Sequence, residues 1–256
     1  YSVIQDEGSL NLLLEKISQA NALAFDVETT DIDPMRARLV GVSLAFGEGE
    51  GYYIPVGHLE GEQLPWELVR EKLSRILGDE TIAKYAHHAK YDMIVLARNG
   101  VEVKGLAFDT MVAGWLVNPA GRSLNLKDLA WSYLGVEMTT IEELIGKGKN
   151  QTTMDLLPIS KVAPYAAADA DMTYRLVGLL DNKLQELGLA KLFYEVELPL
   201  IPVLMDMEMT GVKLDIPFLK EMSKELGQKL QALEEEIYKL VGYRFNVNSP
   251  EQLSDA

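Results

Sequence analysis

The 256-residue sequence contains no cysteine, only three histidines and no apolar run long enough to span a membrane. The lack of cysteine excludes disulfide bonds, thiolate zinc sites and a cysteine nucleophile, and it fits a reducing compartment. Residues 1–7 show no basic region followed by an apolar core, which is the pattern of an export signal. We therefore expect a cytoplasmic protein without a membrane partner.

Basic side chains are also scarce, with 24 lysines and arginines against 39 aspartates and glutamates and a formal net charge of -15. This balance argues against broad attraction to phosphate backbones, because that attraction depends on lysine and arginine. The argument weakens where carboxylates gather at one place, since bound divalent cations neutralise them locally. With 48% hydrophobic residues, the chain can form one large domain, alone or with a smaller appendage.

The pattern of apolar residues predicts an α/β fold with helices outside a sheet. Residues 135–158 have turn chemistry and are predicted to form an exposed loop, and from residue 159 onward the pattern is helical. Residues 246–250 are interpreted as a cap whose helix does not follow, as in a truncated chain. The predicted strands are 22–27, 38–46, 51–56, 81–85 and 106–108, and the predicted helices are 64–77, 91–97, 110–117, 124–134, 159–187, 189–209 and 217–241.

Asp26 and Glu28 stand two residues apart at the end of the first predicted strand. Because side chains alternate along a strand, both carboxylates point to one face and can share a metal ion. Taken alone, the pattern is more typical of acidic residues that end a strand before a turn.

Tyr165 and Asp169 stand four residues apart on a predicted helix, so they share one face, whereas Asp171 points away from it. The three alanines between them leave room beside the pair for a substrate or a metal ion. A packed tyrosine and a solvated aspartate would give the same spacing. Asp92, beside Tyr91 at the start of another predicted helix, is by itself typical of a favourable charge at a helix N-terminus.

Three motifs follow one another along the chain: Asp26-x-Glu28, Lys90-Tyr91-Asp92 and Tyr165-x-x-x-Asp169. In this order they resemble the motifs of the DEDD exonucleases of the tyrosine subtype. More narrowly, the chain is similar to the proofreading 3'-5' exonuclease domains of family A DNA polymerases, the family of bacterial DNA polymerase I. The similarity covers nearly the whole chain and includes residues 25–29, 39–43, 53–56, 108–111, 146–151, 165–173, 197–200 and 211–212.

The resemblance implies a ribonuclease H-like fold, a mixed sheet flanked by helices, followed by a helical C-terminal extension. Residues 1–188 are then expected to hydrolyse the 3'-terminal phosphodiester of DNA and to release nucleoside 5'-monophosphates. Residues 189–256 resemble the start of a polymerase domain, the linker and thumb entry, so the parent chain is expected to be a DNA-directed DNA polymerase in replication and repair. We expect a monomer whose partners are a single-stranded or frayed 3' end of DNA and the polymerase domain that this sequence lacks.

The family's chemistry implies two divalent metal ions, magnesium or manganese, with zinc an alternative in the first site. Oxygen ligands without cysteine suit magnesium. By this analogy Asp26 bridges both ions, Glu28 and Asp169 complete the first site, and Asp92 holds the second. Tyr165 would orient the attacking water. These five are the candidate catalytic residues.

The candidate substrate contacts carry a less specific signal. His88 replaces the asparagine usual in the family. Ile141 replaces an aromatic residue that would contact the terminal base, and Ile32 is its apolar partner. We therefore expect these side chains to wedge against the terminal base more weakly than in relatives. Lys147 and Lys149 can reach phosphates between flexible glycines, although a solvated loop explains them equally well. The full set is Thr29, Ile32, His88, Tyr91, Ile141, Lys147 and Lys149.

Two alternatives remain open at this level. An RNA-trimming exonuclease of the ribonuclease D kind would use the same carboxylates, and the polymerase-like C-terminal third argues against it. A catalytically weak scaffold domain would have lost carboxylates, whereas all five candidate catalytic residues are present here.

Overall fold

The computed structural model describes residues 1–121, 123–148 and 151–256, which form two compact units, Tyr1–Thr210 and Gly211–Ala256. In the first unit a six-stranded mixed sheet is flanked by helices, which confirms the predicted fold class. The strands are β1 (Ser2–Val3), β2 (Ala22–Thr29), β3 (Leu39–Ala45), β4 (Tyr52–Pro55), β5 (Ala83–Ala86) and β6 (Leu106–Asp109). The helices are α1 (Glu7–Ile17), α2 (Trp66–Leu77), α3 (Ala89–Arg98), α4 (Thr110–Val117), α5 (Leu126–Leu134), α6 (Ile141–Ile145), α7 (Ile159–Glu186), α8 (Ala190–Leu192) and α9 (Leu198–Thr210), with a π-helical turn at Phe193–Glu197.

The strands lie in the order β1-β4-β3-β2-β5-β6. β2 pairs antiparallel with β3 and parallel with β5. Side chains along β2 alternate between the two faces of the sheet. Phe25 and Val27 join the main hydrophobic core with α1 and α2, whereas Ala24 packs against Ala170 of α7. Asp26 and Glu28 have the same parity as Ala24, so they share the face that α7 covers.

Small residues allow α7 to approach this face of the sheet closely. Ala24, Ala45 and Ala170 form a buried contact between β2, β3 and α7. A Cβ atom on Gly51 would lie 2.5 Å from the carbonyl oxygen of Ala167, so the helix backbone rests directly on this glycine. This close packing of α7 on the sheet determines how near Asp169 lies to β2.

Several predictions of secondary structure are wrong. The loop predicted over residues 135–158 contains α6 and a 3-10 turn at Met154–Leu156, and both are too short to show a periodic pattern. The strand β1 and the helix α1 have no predicted counterpart, although Asp6 caps α1 by accepting a hydrogen bond from the Ser9 backbone nitrogen at 2.9 Å. The first compact unit extends to Thr210, because α9 packs on α3 and β6.

The second unit is helical. Its long helix α10 (Ile216–Val241) is capped by Asp215, whose carboxylate accepts a hydrogen bond from the Phe218 nitrogen at 3.1 Å. The prediction that no helix follows the cap at residues 246–250 is wrong, because Ser249 caps the short helix α11 (Pro250–Asp255). Among the helices of the described ranges, none has the length and apolar character needed to cross a bilayer.

Gly41 of β3 leaves the space that the buried Tyr53 side chain fills. A Cβ atom at position 41 would lie 2.2 Å from the Tyr53 hydroxyl oxygen, which in turn bonds the His58 Nε2 atom at 2.7 Å. We expect Gly41→Ala to lower the free energy of unfolding by about 1–3 kcal/mol through overpacking, measured by urea denaturation. Gly178→Ala on α7 is the control, since a Cβ there meets open space, and equal losses in both variants would refute this explanation.

Candidate active site

Asp26 and Glu28 of β2 meet Asp169 of α7. One carboxylate oxygen from each of these residues lies within 4.8 Å of the other two. Glu28 and Asp169 are buried and Asp26 is partly buried. The structure therefore brings three of the four predicted metal ligands together, and we call them the carboxylate cluster.

Asp92 stands outside this cluster of three, in the first turn of α3. Burial raises the pKa of its carboxyl group well above the ordinary value, and the charge of Asp26 adds to the shift. Its Oδ2 atom is buried without a hydrogen-bond partner in the part of the chain that the structure describes. A buried carboxylate oxygen in this state is costly unless a proton or a cation satisfies it.

The electrostatics of the carboxylate cluster favour cation binding. Burial, together with the charge of Asp169, raises the pKa of Asp26 to about 8. Burial and then the charge of Asp26 raise the pKa of Glu28 well above its usual value. Carboxylates this close cannot all ionise in a poorly solvated site without cations. Because all the donors are oxygens and Asp92 offers an unpaired one, the site fits hard divalent cations.

Tyr165 lies one helical turn before Asp169 on α7. Burial raises the pKa of its hydroxyl group far above the usual value, and the charge of Asp169 adds to this. The phenol therefore stays protonated, so it can donate a hydrogen bond but does not act as a base. Tyr165, Ala168 and Asp169 line a cleft of about 100 Å³. Of the three alanines between the pair, only Ala168 lines it, because Ala166 and Ala167 are buried in the packing of the helix.

Lys127 of α5 belongs to the site although no sequence spacing relates it to the motifs. Its Nζ atom forms an ion pair with the Asp169 Oδ1 atom and lies 4.2 Å from the centroid of the Tyr165 ring. The lysine side chain is 16% exposed. A cation therefore already contacts one member of the carboxylate cluster.

Asp109, the N-cap of α4, braces the turn that leads into α3. Its carboxylate accepts hydrogen bonds from the backbone nitrogens of Met111 at 2.9 Å and of Ala89 at 2.7 Å. An aspartate directly before an apolar helix is a sequence signal for a helix cap, so the capping of α4 was predictable. The hydrogen bond between Asp109 and the start of α3 was not. His88, just before α3, has left-handed backbone angles (φ 68°, ψ 46°), a conformation that the asparagine usual in the family tolerates well.

The remaining substrate candidates lie on different elements. The hydroxyl groups of Thr29 and Tyr91 share a hydrogen bond at 2.5 Å, which links the end of β2 to α3. Ile32, in the loop after β2, is 95% exposed, and Ile141 is exposed at the start of α6. Lys147 is exposed in the turn after α6, and Lys149 lies outside the described residues.

Comparisons with known proteins show the family to which the chain belongs. A family model described as 3'-5' exonuclease matches residues 1–185. DNA polymerase I of Chloroflexus aurantiacus is 43% identical over 257 residues, which cover 99% of this chain and 27% of that protein. DNA polymerase I of Pseudomonas aeruginosa is 39% identical over 259 residues, which cover 99% of this chain and 28% of that protein. The chain thus spans about a quarter of the length of these curated relatives.

Solved structures share the fold of this chain. The POL domain of Pol1 from M. smegmatis, in complex with DNA primer-template and dNTP, superposes with a TM-score of 0.77 and 25% identity over 99% of this chain and 40% of that chain. Escherichia coli RNase D, an exoribonuclease, shares the fold at a TM-score of 0.60 and 21% identity, over 83% of this chain and 51% of that chain. The chain therefore belongs to the family of 3'-5' exonuclease domains of DNA polymerase I.

Proposed function

We propose that this chain removes nucleotides from the 3' end of a DNA strand by hydrolysing the terminal phosphodiester. The observation that carries the proposal is the carboxylate cluster, whose oxygens from β2 and α7 lie within 4.8 Å of one another. Tyr165, on the same helix as Asp169, lines a cleft together with that residue. The products are a nucleoside 5'-monophosphate and a strand shortened by one nucleotide that ends in a 3' hydroxyl group.

Asp26, Glu28 and Asp169 would hold the first of two divalent ions, magnesium or manganese, and Asp92 with Asp26 the second. When bound, such ions lower the pKa of a water molecule and neutralise negative charge on the departing oxygen. The protonated Tyr165 hydroxyl can donate a hydrogen bond that orients the attacking water. Water oxygen bonds to phosphorus, the bond from phosphorus to the 3' oxygen of the preceding nucleotide breaks, and that oxygen gains a proton.

The substrate is proposed to be a single-stranded or frayed 3' end. Ile32, exposed beside the end of β2, and Ile141 are the proposed apolar contacts of the terminal base. The Thr29–Tyr91 hydrogen bond would steady the nucleotide-facing side of β2 and α3. Relatives named DNA polymerase I match 99% of the chain, which supports residues 189–256 as the beginning of a polymerase domain in the parent protein.

Digestion of a 5'-labelled oligonucleotide tests the proposal. With magnesium or manganese, we expect a ladder of single-stranded DNA products that shorten from the 3' end, because the label stays on the 5' terminus. EDTA and the double substitution Asp26→Ala with Glu28→Ala should each abolish the ladder. The same sequence as RNA serves as the competing substrate.

Two results would contradict this function. A folded protein that binds manganese but leaves DNA intact would identify a scaffold domain. Faster shortening of RNA than of DNA would identify a ribonuclease D-like enzyme instead.

A further inference from the structure

Lys127 occupies an unusual position for a lysine side chain. Its ammonium group is paired with Asp169, one of the three carboxylates of the cluster, and rests against the face of the Tyr165 ring. Both groups of the pair are largely buried, with side-chain exposures of 16% and 10%. The charge of the lysine also opposes the upward shift that burial imposes on the pKa of Asp169.

The ammonium group and a divalent ion require the same carboxylate. An oxygen atom of Asp169 that is bonded to an ammonium group is less available as a metal ligand, and two cations that share one carboxylate repel each other. We propose that Lys127 is an internal cation that competes with the metal ion for Asp169, so that metal loading requires the ammonium group to leave this carboxylate. This inference rests on the proposed metal-dependent function.

The ring of Tyr165 would continue to attract the ammonium group after it leaves Asp169. The face of Tyr165 attracts a cation through the ring quadrupole, and Nζ already lies 4.2 Å from the ring centroid. Lys127 is thus a positioning residue that steadies Asp169 and Tyr165 before metal loading and weakens metal binding by its charge.

The anchoring of α5 allows Lys127 to be replaced without loss of the helix. Asn125 caps α5 by accepting a hydrogen bond from the Asp128 nitrogen at 2.8 Å, and Leu126, Leu129 and Ala130 are buried. None of these contacts uses the lysine side chain. We therefore expect Lys127→Gln and Lys127→Arg to fold, which circular dichroism in EDTA can verify.

Calorimetric titration with manganese tests the inference on the full chain. We expect Lys127→Gln to lower the dissociation constant for manganese by at least about fivefold, because the competing charge is gone. Lys127→Arg keeps the charge and should stay within about threefold of the unsubstituted chain. Lys161→Gln is the matched control, since Lys161 lines the same cleft as Asp169 but is exposed, and it should change the constant less than about twofold.

The sign of the change separates competition from simple support. If Lys127 only props up the site, Lys127→Gln weakens manganese binding and Lys127→Arg partly restores it, which overturns the inference. An unchanged constant in Lys127→Gln, or an equal gain in Lys161→Gln, overturns it as well. The proposed function is judged separately, because it fails if the unsubstituted chain leaves DNA intact, whatever its affinity for manganese.

Discussion

Asp26→Asn is expected to lower kcat on single-stranded DNA by at least about a thousandfold, because the amide replaces a charged metal ligand at the centre of the carboxylate cluster. The substitution preserves the size of the side chain, and Asp26 is only partly buried on β2, so the sheet should remain intact. Single-turnover digestion of the 5'-labelled oligonucleotide with manganese measures the loss. A variant that retains more than a tenth of the activity would show that Asp26 is not a required ligand.

The same substitution is expected to stabilise the chain when EDTA removes metal ions. Burial and the charge of Asp169 raise the pKa of Asp26 to about 8, above its unfolded value, so the folded state holds this proton more tightly than the unfolded state does. The stability of the unsubstituted chain should therefore fall as the pH rises from about 4 towards 8. Asparagine carries no charge and escapes this loss.

At pH 8 in EDTA, we expect Asp26→Asn to unfold at a higher urea concentration, with a gain of about 1 kcal/mol or more that shrinks towards pH 5. Asp206→Asn, which removes an exposed carboxylate from α9, serves as the control and should change neither kcat nor stability appreciably. A loss of both activity and stability in Asp26→Asn would indicate a misfolded site rather than a missing ligand.

The pairs that share one element were predictable from spacing alone. Asp26 and Glu28 share a face because a strand has a period of two, and Tyr165 and Asp169 share one because a helix has 3.6 residues per turn. Neither period shows that β2 and α7 meet. That step came from resemblance to a known family, and the packing of Ala24 on Ala170 now supplies its physical basis.

Contacts between distant segments carried no local signal. The pairing of Lys127 with Asp169 joins α5 to α7, and the bonds of Asp109 join the starts of α3 and α4. Each depends on how helices pack, which periodicity does not encode. The spacing of Tyr165 and Asp169 on α7 also gives no information about Asp92. Asp92 is buried outside the carboxylate cluster, and its place depends on where α3 begins.

Asp171 shows how far the prediction from helix geometry extends. It was expected to point away from Asp169, and the structure confirms this, since its buried carboxylate bonds the hydroxyl group of Tyr1 at 2.8 Å and the backbone nitrogen of Gly49 at 2.9 Å. Arg175, one turn along α7, binds both carboxylate oxygens at 2.7 and 2.8 Å. Helical spacing relates Arg175 to Asp171, but Tyr1 and Gly49 could not be predicted as partners, because they lie more than a hundred residues away in the sequence.

Asp171→Ala is expected to lower the free energy of unfolding by about 3–5 kcal/mol, because it takes from Arg175 its buried partner, leaves it with the exposed Glu48 at 3.6 Å, and removes the tie between α7 and the residues before β4. Urea denaturation measures the loss, and Asp181→Ala is the control on the same helix. Asp181 accepts one hydrogen bond, from the Tyr194 hydroxyl group at 2.8 Å, so its loss should cost about 1 kcal/mol or less. The folded fraction of Asp171→Ala should still digest DNA, because this carboxylate faces away from the carboxylate cluster; a stable but inactive variant would place Asp171 in the chemistry and refute its structural role.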